Sequence, residues 1–230
     1  MIPRDPPPAT AAEAAVVALE EDIVLGRLAP GRRLTEDELM ARFGLTRHAA
    51  REAIAVAERM GLIERRRHVG AQVRQFDERE VRELYAMREL LEGEAARRMP
   101  LPVAPADLER LESIQQSHDR AIARGRPLEV FRANLAFHRA LFALTGDAVL
   151  EKAIEEYARQ THAIRFATIG HPDYREQARR EHREMLAALA KGDRPTLVKA
   201  FRAHLKPARD AYLAQIAGAA PASRARSARR

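Results

Sequence analysis

The 230-residue sequence contains no cysteine. This excludes disulfide bonds and thiolate metal ligands, and leaves histidine, aspartate, glutamate and asparagine for any metal site. The sequence also lacks a run of about 20 apolar residues, the length that a helix needs to cross a bilayer. Its first residues, MIPRDPPPATAAEAA, do not contain the apolar core of a secretion signal. We therefore expect a cytoplasmic protein without a membrane partner.

Positive charge is in excess. The chain has 40 Lys and Arg against 33 Asp and Glu, a formal net charge of +7, which favours polyanionic partners such as nucleic acid. The hydrophobic content of 46% and the charged content of 32% are typical of a globular protein with a substantial core.

Glycine and proline positions divide the chain into segments with helical periodicity. Residues 1–9 and the arginine-rich tail 218–230 lack a core face and are predicted to be disordered. Two strand-like segments around a glycine-containing turn predict a hairpin over residues 62–76. We expect a mainly α protein with an α-plus-hairpin unit (10–76) and a six-helix bundle (77–217). The predicted helices are 10–28, 35–42, 46–60, 78–99, 105–124, 127–145, 147–169, 173–191 and 194–217.

Residues 35–60 contain two short helices joined by a glycine-containing turn. The first packs Leu39 inward and ends at Gly44, and Thr46 begins the second, whose apolar residues have helical spacing. This arrangement is typical of a helix-turn-helix. Because a hairpin follows directly, the sequence predicts a winged helix-turn-helix.

The residues predicted to contact DNA lie at the start of the second helix and in the hairpin. A recognition helix meets base edges with its N-terminal end, arginine can pair with guanine through two hydrogen bonds, and a helix N-terminus can hold phosphate. Residues 31–75 contain ten Arg and six acidic residues, a net +4; a solvated basic hairpin on a protein-interaction module is the alternative. The candidates are Thr46, Arg47, His48 and Arg51 on the helix, and Arg65, Arg66, Arg67, His68 and Gly70 at the hairpin tip.

The segment LAPGRRLTEDELMARFGLTRHAAREAI resembles the N-terminal domain of GntR-family transcription regulators. Two positions depart from the family pattern: Ala49 replaces a proline, and Ala50 replaces a larger hydrophobic residue. The resemblance implies that Arg47 and Arg51 are the principal DNA contacts, with Thr46 and the wing supporting them. The matching positions are Pro30, Gly31, Leu34, Leu39, Thr46, Arg47, Arg51, Glu52, Ala53, Ile54, Gly61, Leu62 and Gly70.

Three helices of the second unit carry a histidine at the centre of an apolar stripe: His138, His182 and His204. Asn134 lies one turn before the first of them. A single buried histidine is usually satisfied by a backbone carbonyl or a hydroxyl, but three on inward faces favour a shared cation. Neutral imidazoles with an oxygen donor suit Zn, Ni, Mn or Fe(II), and helix bundles commonly build such sites.

The segments NLAFHRAL, REHREMLAAL and AFRAHL resemble the three signatures of the FCD domain, an all-helical ligand-binding domain, here in its shorter, VanR-like form. Metal-binding members use an aspartate, the histidine four residues later and two further histidines. The resemblance implies the metal ligands Asn134, His138, His182 and His204. Asparagine in place of aspartate removes one negative charge, which should weaken the site or alter its choice of metal.

Arg88 lies on the inner face of the predicted helix 78–99. It can pair with Glu92, link the two units, or clamp a carboxylate, since the guanidinium fork matches that group. FCD regulators typically sense small organic or sugar acids, so the resemblance implies a small carboxylate effector. Further pocket candidates at helical spacing are Tyr157, Thr161 and Arg165; the histidines interpreted as structural or exposed are His118, His162 and His171.

We therefore predict a nucleoid-associated bacterial transcription regulator, more specifically a repressor, that binds an inverted-repeat DNA operator as a homodimer. Effector binding would shift the dimer between two arrangements. An architectural DNA-binding protein without an effector is one alternative. A metal-dependent hydrolase is another alternative. A hydrolase needs a general base near its metal, but we expect no carboxylate beside the three histidines. A hydrolase would also leave the N-terminal unit unexplained. We therefore predict that the protein is not an enzyme.

Overall fold

The computed structural model of the protein describes residues 10–219. The ends predicted to be disordered, 1–9 and 218–230, lie outside the described residues except for the last two positions of the final helix. Within the described range, no helix combines the length and the apolar composition that a bilayer crossing requires.

The N-terminal part combines three helices with a small antiparallel sheet. Thr10, Thr35 and Thr46 cap the three helices, each accepting a hydrogen bond from the backbone N–H three residues later. Gly44, at φ 65°, ends the second helix in the left-handed conformation. The central strand of the sheet is the third in sequence. The elements are α1 (Ala11–Val24), β1 (Arg33–Leu34), α2 (Glu36–Phe43), α3 (Arg47–Arg59), β2 (Ile63–Arg66) and β3 (Gly70–Val73).

This part is a winged helix-turn-helix, as predicted, although its sheet differs from the predicted hairpin in two respects. The sequence does not predict β1, because two residues are too few to show alternation; Leu34 of this strand pairs with Ala71 of β3. Arg65 and Arg66, predicted at the hairpin tip, lie within β2, and the turn consists of residues 67–69.

Between residues 77 and 219, the C-terminal part contains six long α-helices, as predicted, and a short additional one. Three of the helices begin with proline, at a position where the missing N–H costs no intrahelical hydrogen bond. The elements are α4 (Glu78–Arg98), α5 (Pro105–Ala123), α6 (Pro127–Ala143), α7 (Ala148–Gln160), α8 (Phe166–Ile169), α9 (Pro172–Lys191) and α10 (Arg194–Ala219).

The prediction of a single helix over residues 147–169 is wrong for the second half of this range. α7 ends at Gln160, and a 3-10 turn, His162–Ile164, precedes α8. The hydroxyl of Thr161 donates to the carbonyl of Ala158 at 2.8 Å and accepts from Arg88 at 3.0 Å. Side-chain bonds of this kind compete with continuation of a helix, so the regular spacing assumed for the pocket candidates ends at this point.

Two hydrophobic clusters form the interior of the described part of the chain. One lies within the C-terminal helices and includes Phe137 and Phe201. The other joins Leu19 of α1 to Ile164 and other residues of the C-terminal part. The predicted boundary near residue 77 coincides with Asp77, the N-cap of α4, but this second cluster crosses it. The two parts therefore pack against each other through a shared core.

Candidate DNA-binding surface and ligand site

The N-terminal end of α3 presents the side chains predicted to contact DNA. The Arg47 and Arg51 side chains are 59% and 64% exposed, and His48 is exposed. Thr46 accepts a hydrogen bond from the Ala49 N–H at 3.2 Å and so fixes the start of the helix. This end of the helix can therefore reach base edges and phosphates.

Carboxylates of α2 hold both arginines. Arg51 Nε donates to Glu36 Oε1 at 2.9 Å, and Arg47 donates to Asp37 Oδ1 at 3.2 Å. These pairs link the two helices of the helix-turn-helix. Because the pairs are exposed, each contributes little to stability, and the guanidiniums can exchange these carboxylates for acceptors on DNA.

The wing carries further basic side chains. Arg65 pairs with Glu58 at 3.0 Å and Arg66 with Glu64 at 2.9 Å; both arginines, like Arg67 and His68 in the turn, are exposed. Gly70 has φ 92°, and no atom of the described residues lies within 4 Å of the position that a Cβ would occupy. Glycine is needed here for the backbone conformation, and the open space allows a partner to approach closely.

Histidines from α6, α9 and α10 converge in the C-terminal part. One nitrogen each of His138, His182 and His204 lies within 4.8 Å of the other two, and the Nε2 atoms of His138 and His204 are 3.0 Å apart. His182 is fully buried, and its Nε2 has no hydrogen-bond partner among residues 10–219. Asn134 is 5% exposed and lines the same cavity as His204. We call these three histidines the histidine cluster.

Hydrogen bonds on the outer nitrogens orient two of the three rings. His182 Nδ1 donates to Gln115 Oε1 at 2.8 Å, and His204 Nδ1 donates to Glu181 Oε2 at 2.7 Å. Because these acceptors place the proton on Nδ1, the Nε2 lone pairs face the cluster. This is the tautomer in which a histidine binds a metal.

The prediction that no carboxylate lies beside the histidines is wrong, because Glu181 contacts His204. Burial raises the pKa of Glu181, but the hydrogen bonds from His204 and Gln177 outweigh this effect, so the pKa is lowered. The Glu181 carboxylate is therefore ionised at neutral pH. It binds Nδ1, which is not the nitrogen that faces the cluster, and so it orients the ring.

The buried histidines are neutral at neutral pH. Burial lowers the pKa of His138 and of His182 well below the ordinary value. His118, interpreted from sequence as structural or exposed, is 1% exposed, and burial lowers its pKa to about 4. Its ring centroid lies 5.0 Å from that of His182. Neutral imidazole is the form that coordinates metals.

A cavity that is partly open to solvent adjoins the cluster. Arg88 and Arg165, both predicted pocket residues, line it. Arg88 is 4% exposed and donates to Glu92 at 2.8 Å and to Thr161 at 3.0 Å. The structure thus contains the pair with Glu92 that the sequence suggested for Arg88, and also places the arginine at the cavity.

Two other predicted pocket residues lie elsewhere. Thr161 is fully buried behind Arg88, and Tyr157 packs against the core shared by the two parts; neither belongs to the cavity lining. The break after α7 explains the difference, since the spacing rule assumed one continuous helix. The lining instead includes residues that the sequence did not single out as ligand-binding: Tyr85, Tyr174 and Arg175.

Comparison with known proteins identifies both parts. Residues 11–73 match the family described as bacterial regulatory proteins, gntR family, and residues 83–207 match the FCD domain. The transcriptional repressor RspR of Escherichia coli K12 is 28% identical over 188 residues, which cover 82% of each chain. The probable D-xylose utilization operon transcriptional repressor of Paenarthrobacter nicotinovorans is 30% identical over 175 residues, 75% of each chain.

Solved structures share the fold. Escherichia coli McbR/YncC has a TM-score of 0.76 at 18% identity, covering 91% of this chain and 100% of that one. A putative GntR regulator from Rhodococcus sp. RHA1 has a TM-score of 0.74 at 21% identity, covering 88% and 97%. With its winged helix-turn-helix and its helical second part, the chain is a DNA-binding transcription regulator and not an enzyme, and it belongs to the GntR family, in the group that carries an FCD domain.

Proposed function

We propose that this regulator is a homodimeric cytoplasmic repressor that binds an inverted-repeat operator and responds to a small carboxylate bound near a divalent transition metal. The observation that carries the proposal is the cavity, which joins His204 of the histidine cluster to Arg88 and Arg165. The combination of a metal-ligating cluster and guanidinium groups suits a carboxylate. Two relatives are named as repressors, which supports the direction of regulation.

Asn134, His138, His182 and His204 would hold the metal, which we expect to be zinc, nickel, manganese or iron. The donor set fits a cation. The Nε2 atoms of His138 and His204 face each other, while Nε2 of His182 has no partner in the part of the chain that the structure describes. One cation can accept all three lone pairs. When bound, the metal supplies a positive centre that attracts a carboxylate. Asn134 is neutral and would not offset that charge.

On the DNA side, the start of α3 would enter the major groove, and the wing would lie along the backbone. The two-fold symmetry of a homodimer matches an inverted repeat. The side chains assigned to DNA are Thr46, Arg47, His48 and Arg51 of the helix and Arg65, Arg66, Arg67, His68 and Gly70 of the wing.

The segment that follows α7 would couple the two sites. Thr161 accepts a hydrogen bond from Arg88, which lines the cavity. The next residue, His162, bonds through Nδ1 to Glu20 Oε1 of α1 at 2.6 Å, and Arg165 lies at the cavity again. A ligand that binds Arg88 and favours one position of Arg165 would therefore bias the contact of this segment with the DNA-binding part.

Metal analysis of the purified full-length protein, combined with titration of carboxylates against operator binding, tests the proposal. The operator can be selected from a random DNA pool. We expect a single transition-metal ion per chain, lost in His138→Ala and retained in His171→Ala, which alters an exposed histidine. Both variants should bind the operator as the parent does, but only His138→Ala should lose the carboxylate response. If His138→Ala retains its metal and its response, the assignment of the site is wrong.

A further inference from the structure

Four buried donor atoms around the ligand cavity have no hydrogen-bond partner among the described residues. They are Oη of Tyr85, Nδ2 of Asn134, and Nε of Arg165 and of Arg175. Tyr85 and Asn134 are only 2% and 5% exposed. A buried donor without an acceptor is destabilising, and folded proteins contain few of them. Four such donors around one cavity indicate a ligand that is rich in acceptor oxygens.

The charges at the cavity are also unbalanced. Arg88, Arg165 and Arg175 contribute three guanidinium groups. Of the carboxylates close to them, Glu92 is bonded to Arg88, and Glu181 is bonded to a histidine of the cluster. Burial, with the charge of Arg88, lowers the pKa of Arg165 to about 10, which still leaves it protonated at neutral pH. The cavity therefore carries positive charge that its own carboxylates do not balance.

The four donors come from different elements. Tyr85 is on α4 and Asn134 on α6, whereas Arg165 precedes α8 and Arg175 is on α9. A terminal nitrogen of Arg175 also donates to the carbonyl of Ile169 at 3.0 Å, which holds its guanidinium against the end of α8. A single carboxylate offers two oxygens on one carbon, and these cannot serve donors from four elements and the histidine cluster together.

We propose that the effector is an acid with a second anionic group, and that Arg165 and Arg175 bind the group that does not face the histidine cluster. This inference rests on the carboxylate effector of the proposed function and narrows it to dianions. The second group is a carboxylate or a phosphate, since the arginine fork pairs with either. Arg175 is then a determinant of specificity, because it distinguishes a dianion from a monoanion of the same carbon skeleton.

Matched pairs of acids test this inference by calorimetric titration of the full-length protein, with and without added Zn²⁺. The pairs are succinate with butyrate, glucarate with gluconate, and phosphoglycerate with glycerate; the third distinguishes a phosphate from a second carboxylate. In any pair that binds, we expect the dianion to bind at least about tenfold more tightly, as two charge-assisted hydrogen bonds allow.

Arg175→Gln removes the charge-assisted hydrogen bonds of this guanidinium, so it should reduce the ratio of dianion to monoanion affinity to less than about threefold. Arg124→Gln, which alters an exposed arginine outside the cavity, should leave it unchanged.

The outcomes separate the inference from the proposed function. Equal affinity for monoanion and dianion in the parent protein overturns the inference and leaves a carboxylate effector intact. A dianion preference that persists in both Arg175→Gln and Arg165→Gln shows that the second group binds elsewhere. Failure of every acid to bind, with and without Zn²⁺, rejects the inference together with the carboxylate effector.

Discussion

The arginines of the DNA-binding surface and those of the ligand cavity differ in their surroundings. The Arg51 side chain is 64% exposed and pairs with Glu36 at the surface, whereas the Arg88 side chain is 5% exposed and pairs with Glu92. Solvent and salt screen the first pair, so its partners can be exchanged at little cost. The second pair cannot lose one partner without leaving a buried charge. The same residue type thus provides an exchangeable contact in one region and a fixed structural charge in the other.

The largest expected effect comes from breaking the buried pair. Arg88→Ala leaves the Glu92 carboxylate in the interior without its guanidinium, and we expect the free energy of unfolding to fall by about 3–5 kcal/mol. Urea denaturation of the full-length protein measures the change. Arg79→Ala, on the same helix, removes an exposed pair with Glu83 and should leave the unfolding midpoint nearly unchanged. Similar midpoints for the two variants would show that water reaches Glu92 and that the two regions do not differ as described.

An intermediate effect is expected at the DNA-binding surface, on affinity and not on stability. Arg51→Ala should weaken operator binding by about 1–3 kcal/mol and relax sequence preference at one base pair. The free energy of unfolding should change little, because the variant loses only the exposed ion pair with Glu36. Binding is measured by fluorescence anisotropy on the selected operator and on single-base variants of it. Arg59→Ala, an exposed arginine at the other end of α3, is the matched control. If the two variants lose affinity equally at every base pair, Arg51 contributes charge alone and reads no base.

The two regions also differ in how far the sequence predicts them. The order of Thr46, Arg47 and Arg51 follows from a cap and helical spacing, both of which are local signals. The inward positions of His138, His182 and His204 follow from apolar stripes on separate helices. For this reason the fold class and the cluster of three histidines can be predicted from the sequence before any tertiary contact is known.

The rest of the ligand site depends on tertiary contacts. No glycine or proline marks the end of α7; the break follows from the bonds of Thr161 to Arg88 and of His162 to Glu20. Arg175 belongs to no recognisable sequence pattern, and its place at the cavity depends on the packing of α9 against the end of α8, where it donates to the carbonyl of Ile169. The direction of the Glu181 carboxylate, toward His204 on the neighbouring helix, likewise has no sequence signal.

The smallest expected effect is on communication between the two regions. Glu20→Ala removes the acceptor of His162, so ligand binding and operator binding should each persist while their coupling falls by about 0.5–2 kcal/mol. The measured quantity is the ratio of operator affinities with and without the effector. Glu21→Ala is the matched control, because the Glu21 carboxylate contacts Arg132 of α6 and not the segment after α7. Equal loss of coupling in both variants would mean that the whole contact surface of α1 transmits the response. The hydrogen bond of His162 to Glu20 would then have no special role in connecting the buried charges of the cavity with the exposed charges of α3.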